Sequence, residues 1–402
     1  MSPAAQSLIK KIVVFTSLVV LGSSIAFLLV ACGAGHSSSL PRERARSSSQ
    51  GWQALPAAPI AVDAYMTSVW TGKEMIVSGV GGVSPDGSFL KASNVAAAYD
   101  PAADTWRRLA PPLADKTDPT GHSAVWTGTE MLVWGAFKAA GFEPLTNHWR
   151  LLPPPPRGAG LVVWTGREMI GWGGGCCGDA SSDGAAYSPA TNTWRTLARS
   201  PLAPGAIGAW TGHELVLISS GFDPDGNKPY PASLARAAAY DPATDTWRRI
   251  APLPESGLRF GGSAVWDGRE ILVVGAGERS QDALAYNPAT NRWRRLASME
   301  AGHGGASAVW TGKRLLVWGG SRYDREGDVL ARHGLTYDPK TDRWSALPQW
   351  PLQSRDGSTV AWTGRQLIVW GGVIGTPRGT STPPKYLTDG AAFTPALERS
   401  SR

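Results

Sequence analysis

The sequence predicts an all-β chain: a seven-bladed β-propeller with four antiparallel strands per blade, its ring closed by an N-terminal strand that completes the last blade. Three observations predict it. Trp-Thr-Gly or Trp-Asp-Gly occurs seven times, at Trp70, Trp126, Trp164, Trp210, Trp266, Trp310 and Trp362. Spacings near 50 residues with several short strands per unit mark propeller blades rather than helical solenoids, whose units are shorter and helically periodic. No stretch after Trp52 keeps a 3.6-residue apolar period, whereas β-branched and aromatic runs recur between turn signals, so almost no helix is expected. Finally, 48 Gly, 31 Pro and 19 Trp among 402 residues supply the turns and the packing bulk that many short strands need.

In chain order, residues 1–31 read as a lipoprotein signal peptide. Lys10 and Lys11 precede an uncharged run from Ile12 to Ala31, and Leu29-Val30-Ala31-Cys32 resembles a lipobox, at which Cys32 would be lipidated after cleavage. An uncleaved signal-anchor helix stays open as the alternative, because about 20 apolar residues also span a bilayer. Residues 32–50, rich in Ser and carrying Arg-Glu-Arg, have too little apolar content to bury a core and are expected to form a flexible tether. The propeller is expected over 51–396, with 397–402 a disordered tail.

Within each repeat, an apolar strand ending in Gly follows the marker Trp, as in Met131-Leu132-Val133-Trp134-Gly135. After a loop of variable length comes Ala-Tyr-Asp-Pro-Ala-Thr-Asp-Thr-Trp-Arg-Arg or a relative, its aromatic at Tyr99, Phe142, Tyr187, Tyr240, Tyr286 and Tyr337. The Asp-Pro pair and the polar residues after it turn the chain into an outer strand opened by Trp106, Trp149, Trp194, Trp247, Trp293 or Trp344. The last copy, Ala391-Ala392-Phe393-Thr394-Pro395, stops short of any outer Trp. Gly51-Trp52-Gln53-Ala54-Leu55-Pro56 reads as the missing strand, which would remove an exposed sheet edge. Gly-Gly, Tyr-Asp-Pro and Trp at this spacing resemble the kelch motif, over about 340 residues in seven copies. That resemblance extends to the central propeller domain of galactose oxidase, but the copper-binding Tyr and His and the Tyr–Cys crosslink of that family find no matching positions here. No cofactor and no metal are therefore expected.

The resemblance puts the strand before each marker Trp innermost, beside a central channel. Seven residues upstream of the markers stand Asp63, Pro119, Arg157, Ala203, Arg259, His303 and Arg355. Three Arg and a His would ring one channel mouth, and the loop residues Lys228, Arg236, Arg279, Arg322, Arg325, Arg332 and Lys385 would add to a cationic rim that suits a carboxylate, a sulfate or an acidic peptide. The ligand-binding candidates are thus Arg157, Arg259, His303, Arg355, His122 and Asp63. The competing reading is structural: Arg in this place satisfies backbone carbonyls between blades, and His122 is a hydrogen-bonded channel residue. Cys176 and Cys177 are adjacent in a Gly-rich loop and are candidates for a vicinal disulfide, with free thiols or a metal pair as alternatives. Asp223-Pro224-Asp225-Gly226-Asn227 alternates oxygen ligands but lacks the downstream Glu of a calcium loop, and reads as a turn.

The net charge of +7 is spread thinly, without a basic run or an aromatic ladder between cations, which argues against nucleic acid as a partner. Six His without His-x-x-x-His, and no Gly-x-Ser-x-Gly, leave metallohydrolase and acyl-transfer chemistry without support. The expected function is a binding or scaffold protein at the cell envelope, held in the membrane by lipid on Cys32, that takes an anionic glycan or protein. An enzyme acting on acidic sugars, mutarotase- or lyase-like, is the alternative, and a purely structural assembly is a third.

Overall fold

The computed structural model describes residues 51–82, 93–112, 123–135, 138–174, 181–219, 234, 236–254, 262–275, 282–300, 302–324, 327–331, 333–374 and 385–395. Each Trp-Thr-Gly closes a four-residue turn. In the first, the Thr71 N–H donates to the Glu74 carbonyl at 3.0 Å, and the Thr71 hydroxyl accepts the Glu74 N–H at 2.9 Å. Asp267 does the same with its carboxylate in the one Trp-Asp-Gly copy. The glycine of every copy has φ between 87° and 106°, a region that side chains with a Cβ rarely enter, so the turn requires it.

These turns join the first two strands of seven four-stranded antiparallel sheets. Blade I comprises Ala64–Trp70, Met75–Gly81, Ser93–Asp100 and Thr105–Arg108. Blades II to VI span 123–151, 161–196, 206–249, 263–295 and 307–346. Blade VII takes Thr359–Trp362, Leu367–Trp370 and Gly390–Phe393 from the end of the chain and Trp52–Ala54 from its start, with Trp52 opposite Phe393 and Ala54 opposite Ala391. Inner strands neighbour one another all the way round, blade VII beside blade I. No helix occurs among the described residues. The seven-bladed ring, the four strands per blade and the closure by an N-terminal strand agree with the sequence expectation.

Two short hairpins go beyond it. Ser321–Asp324 pairs with Gly327–Leu330 in the long loop of blade VI, and Val373–Ile374 with Lys385–Tyr386 in that of blade VII. Marker spacing sees such insertions only as extra length.

Second strands are buried along their whole length, because both faces of each sheet meet a neighbouring blade. Seven apolar clusters result, each shared by two adjacent blades. Gly171 shows how tight the fit is: a Cβ there would lie 2.2 Å from the Trp134 ring of blade II.

Polar latches reinforce the clusters. The outer-strand Trp of one blade donates its indole N–H to a carbonyl just past the outer strand of the preceding blade, always four residues after that blade's own outer Trp. The pairs are Trp149–Ala110, Trp194–Pro153, Trp247–Ala198, Trp293–Ala251, Trp344–Ala297 and Trp52–Pro348, at 2.7 to 2.9 Å. Where that residue is Ala, its N–H answers with a second bond to Asn147, Asp245, Asn291 or Asp342, at 2.8 to 3.1 Å. Those four side chains belong to the one non-glycine position that turns with φ near +50°, a conformation Asn and Asp tolerate best. Where the residue is Pro153 or Pro348 there is no N–H to give, and the junction keeps one bond. At the seam between blades VII and I the corresponding residue is Pro56, and the Trp106 indole N–H has no partner among the described residues. Trp106 instead stacks on Trp370 at 5.4 Å, and Arg108 donates to the Pro59 carbonyl.

Candidate functional site

Strand direction separates two faces. Inner strands run towards the marker Trp, so the hairpin turns and the Asp-Pro turns lie on one face, with four residues in each: 71–74 and 101–104 in blade I, 211–214 and 242–245 in blade IV. The other face carries the connections from second to third strand, from 135–138 in blade II to 220–236 in blade IV and 371–389 in blade VII. The upstream ends of the inner strands open on that loop-bearing face and form the expected channel mouth.

Hydroxyls knit the inner strands together beneath it. Ser123 donates to the Gly160 carbonyl of the next blade at 3.2 Å, Ser263 to Ala306 at 2.5 Å and Ser307 to Ser358 at 3.3 Å.

At the mouth, Arg355 is buried, with 1% of its side chain exposed, over the Trp350 ring. Its Nε donates to the Gln353 carbonyl at 3.0 Å. Its Nη1 reaches the carbonyls of Gly371 and Asp389, both at 3.2 Å, and the Asp389 carboxylate at 2.5 Å. Arg157 is one-third exposed and donates through Nη1 to Asp183 at 2.7 Å and to the Ser181 hydroxyl at 3.1 Å. Neither bridges two blades as the structural alternative expected: Arg355 does satisfy backbone carbonyls, but within its own blade, and Arg157 bonds side chains only, among the described residues. The partner carboxylates are the more open halves, Asp183 at 48% and Asp389 at 51%.

His303 is fully buried and its Nδ1 lies 2.8 Å from the Gly319 carbonyl, which makes Nδ1 a donor. Burial pushes its pKa below the ordinary value, the Gly319 carbonyl opposes this, and His333 adds to the depression. Asp63 accepts the Gly82 N–H at 2.7 Å. Lys385 is exposed at the rim, and Arg236 is held below its usual pKa by burial. His122, Arg259, Cys32, Cys176 and Cys177 lie outside the described residues, as do Lys228, Arg279 and Arg332.

The partners Asp183 and Asp389 escape a reading of sequence alone because loops of different length precede them. Anchored on the third-strand aromatic, they share one position, four residues before Tyr187 and Phe393. Blade V has Asp282 there and Arg259 at the matching upstream position. The other four blades have Lys138, Arg236, His333 and Val95 there, and none has Arg upstream. Arg occurs only where Asp answers it, a signal the repeats carry among themselves.

On the hairpin face, five blades repeat a second pair. Glu74 takes Arg107 at 3.0 and 2.8 Å through two bonds, and Glu130–Arg150, Glu168–Arg195, Glu214–Arg248 and Glu270–Arg294 repeat the pairing. Hydrogen bonding to Glu168 raises the Arg195 pKa, and Arg195 also donates to the Tyr240 hydroxyl of the next blade at 2.9 Å. Burial first, and then the Asp342 carboxylate, raise Tyr337 to about 12. These groups are engaged by one another, with the arginines still about a third exposed. A cleft of about 1040 Å³ lies on this face between blades III and IV, lined by Trp164, Arg167, Trp210, His213 and Asp241.

No protein-family model matches this sequence, and no curated protein matches it. Among solved structures it is similar to a fungal alcohol oxidase of the AA5 family, in complex with copper, with a TM-score of 0.61 and 17% identity, covering 86% of this chain and 75% of that one. The likeness is one of fold. Among the described residues no group of three or more His, Cys, Asp or Glu is gathered as a metal would need, so these residues do not fit a copper centre. The chain is a seven-bladed β-propeller, similar in fold to that oxidase.

Proposed function

We propose that the chain is a binding or scaffold protein of the cell envelope, anchored through lipid on Cys32, that holds an anionic glycan or protein on its loop-bearing face. One observation carries this reading: the two faces differ in kind. The hairpin face repeats near-identical four-residue turns, whereas the loop face puts connections of 4 to 19 residues, two of them with added hairpins, on a ring stiffened at its junctions. Variable loops on a rigid scaffold are where recognition is placed. Because Arg157 and Arg355 are paired internally, first contact falls to the loop cations Lys228, Arg279, Arg322, Arg325 and Lys385. Arg157, being partly open, could exchange Asp183 for a ligand carboxylate. The oxidase with the same fold favours a second reading, an enzyme acting on an acidic sugar at the same mouth.

A glycan array probed with the purified protein tests the proposal. Acidic glycans should bind and neutral ones should not, and Arg279→Glu with Lys385→Glu should weaken binding at least about fivefold, by loss of charge-assisted contacts. Binding confined to neutral glycans would overturn it, and turnover of an acidic sugar would transfer support to the second reading.

A further inference from the structure

The hairpin face carries a charge pattern that the loop face does not explain. The third residue after each marker Trp sits at a hairpin tip and is exposed; in five blades it is a cation, Lys73, Arg167, Arg269, Lys313 or Arg365, with Thr129 and His213 in the other two. Lys73 has Asp100 at 3.9 Å. The other four have no side-chain partner among the described residues. The face's carboxylates, by contrast, have partners within the protein, although Glu143, Asp245 and Asp342 are themselves exposed. Five glutamates hold arginines, Asp100, Asp241 and Asp338 accept N–H groups of their own turns, and Asp245 and Asp342 accept a Tyr hydroxyl and an Ala N–H. The seven marker Trp stand directly behind the tips, and each is only half-buried.

The chain also enters the ring on this side. The outer strand of blade VII begins at the hairpin face, where the Gly51 carbonyl accepts the Thr394 N–H at 2.7 Å. The Thr394 hydroxyl in turn accepts from Gln366, next to the tip residue Arg365, at 3.0 Å. Cys32 lies 19 positions upstream of Gly51 (51 − 32).

We propose that the hairpin face lies against an anionic lipid surface, the tip cations holding headgroups and the ring of half-buried Trp standing at interfacial depth, while the loop face points away. Cations near an anionic leaflet are attracted within a Debye length, and Trp is favoured at the membrane–water boundary. The tether arriving at the same face lets an anchored chain adopt this orientation without wrapping round the ring. The proposal rests on the envelope-anchor reading only for how the protein reaches the membrane.

Amide exchange of the full-length chain on vesicles tests it, comparing phosphatidylglycerol mixed into phosphatidylcholine with phosphatidylcholine alone. The tips at 71–74, 165–168, 267–270, 311–314 and 363–366 should be protected on the anionic vesicles, and high salt should remove the protection. Combining Arg167→Glu, Arg269→Glu, Lys313→Glu and Arg365→Glu should weaken binding to phosphatidylglycerol about a hundredfold, with strand exchange unchanged as proof of an intact ring. Protection of the loop face, or equal protection on both kinds of vesicle, would overturn the proposal. If the variant misfolds, the salt dependence of the parent decides alone. Failure of the anchor shows separately, as release of the protein by a high-salt wash. Tip protection on anionic vesicles supports docking even then, and its absence refutes docking even where the anchor withstands the wash.

Discussion

Three kinds of blade junction meet in this ring. Between blades I and II, III and IV, IV and V, and V and VI, an indole N–H and a backbone N–H cross the boundary in opposite directions. At the VII–I seam neither bond forms, and a buried indole N–H is left over. At II–III and VI–VII the position four past the outer Trp is Pro153 or Pro348, and the indole bond alone remains; at the seam it is Pro56, and the proline accounts for the absent backbone bond but not for the absent indole bond. Apolar packing is present at every junction, so packing closes the ring and hydrogen bonds grade its stiffness.

The largest test removes the side chain that anchors the outer strand of blade VII to blade VI. Trp52 packs on Trp318, Trp350 and Phe393 with centroids 4.5 to 5.0 Å away and supplies the VI–VII latch. Trp52→Ala should cost about 3–5 kcal/mol in chemical denaturation, and an unchanged midpoint would show that the Trp52 anchor is dispensable.

A smaller effect separates double from single latches. Asn291→Ala puts at φ 52° a residue that tolerates the left-handed region less well than Asn, removes the acceptor of the Tyr286 hydroxyl and abandons the Ala251 N–H. Asn192→Ala incurs the same strain and frees the Tyr187 hydroxyl, but faces Pro153, which has no N–H. Asn291→Ala should therefore be the more destabilising by about 1 kcal/mol, measured by urea unfolding of both.

Next in size, Trp247→Phe should cost about 1 kcal/mol more than Trp106→Phe, because only the first has a latch to lose. Equal costs would mean that the indole bonds are incidental to packing.

The smallest effect is on acid stability. Asp245 and Asp342 are held below the ordinary carboxylate range, chiefly by the hydroxyls of Tyr240 and Tyr337. A depressed folded-state pKa gives stability that is present above the unfolded value, about 3.9, and is lost as pH falls through the folded one. Asp245→Asn with Asp342→Asn copies the Asn291 junction and should flatten that acid loss in thermal melts taken across the carboxylate range.

Much of this was legible because short, local chemistry repeats. Trp-Thr-Gly needs a positive-φ glycine, Tyr-Asp-Pro needs a turn, and seven copies of these motifs or their relatives place the blades and leave one outer strand to be found at Trp52. What stayed hidden is pairwise and distant in sequence. Arg157 and Asp183 are separated by a loop whose length differs in every blade, so nothing local announces their ion pair, and an Arg at the mouth looks the same whether free or paired. The Glu–Arg pairs were in view in every copy from Glu74 to Glu270, but only strand register shows that the residue before the second strand meets the third residue of the outer one. The hairpin at 321–330 was concealed as loop length.

Closing the last sheet with the first strand also orders events in time. Residues 52–54 are synthesised before the rest of the ring, and their partners 391–393 come almost at the end. Until then Trp52–Ala54 has no mate, and the unfinished blade VII offers an open edge on which a second copy could pair. The entropy of joining such remote segments grows only logarithmically with their separation, but the search for that contact is among the slow events of a β fold. The ring is thus most exposed to mispairing in the interval between finishing blade VI and recapturing Trp52.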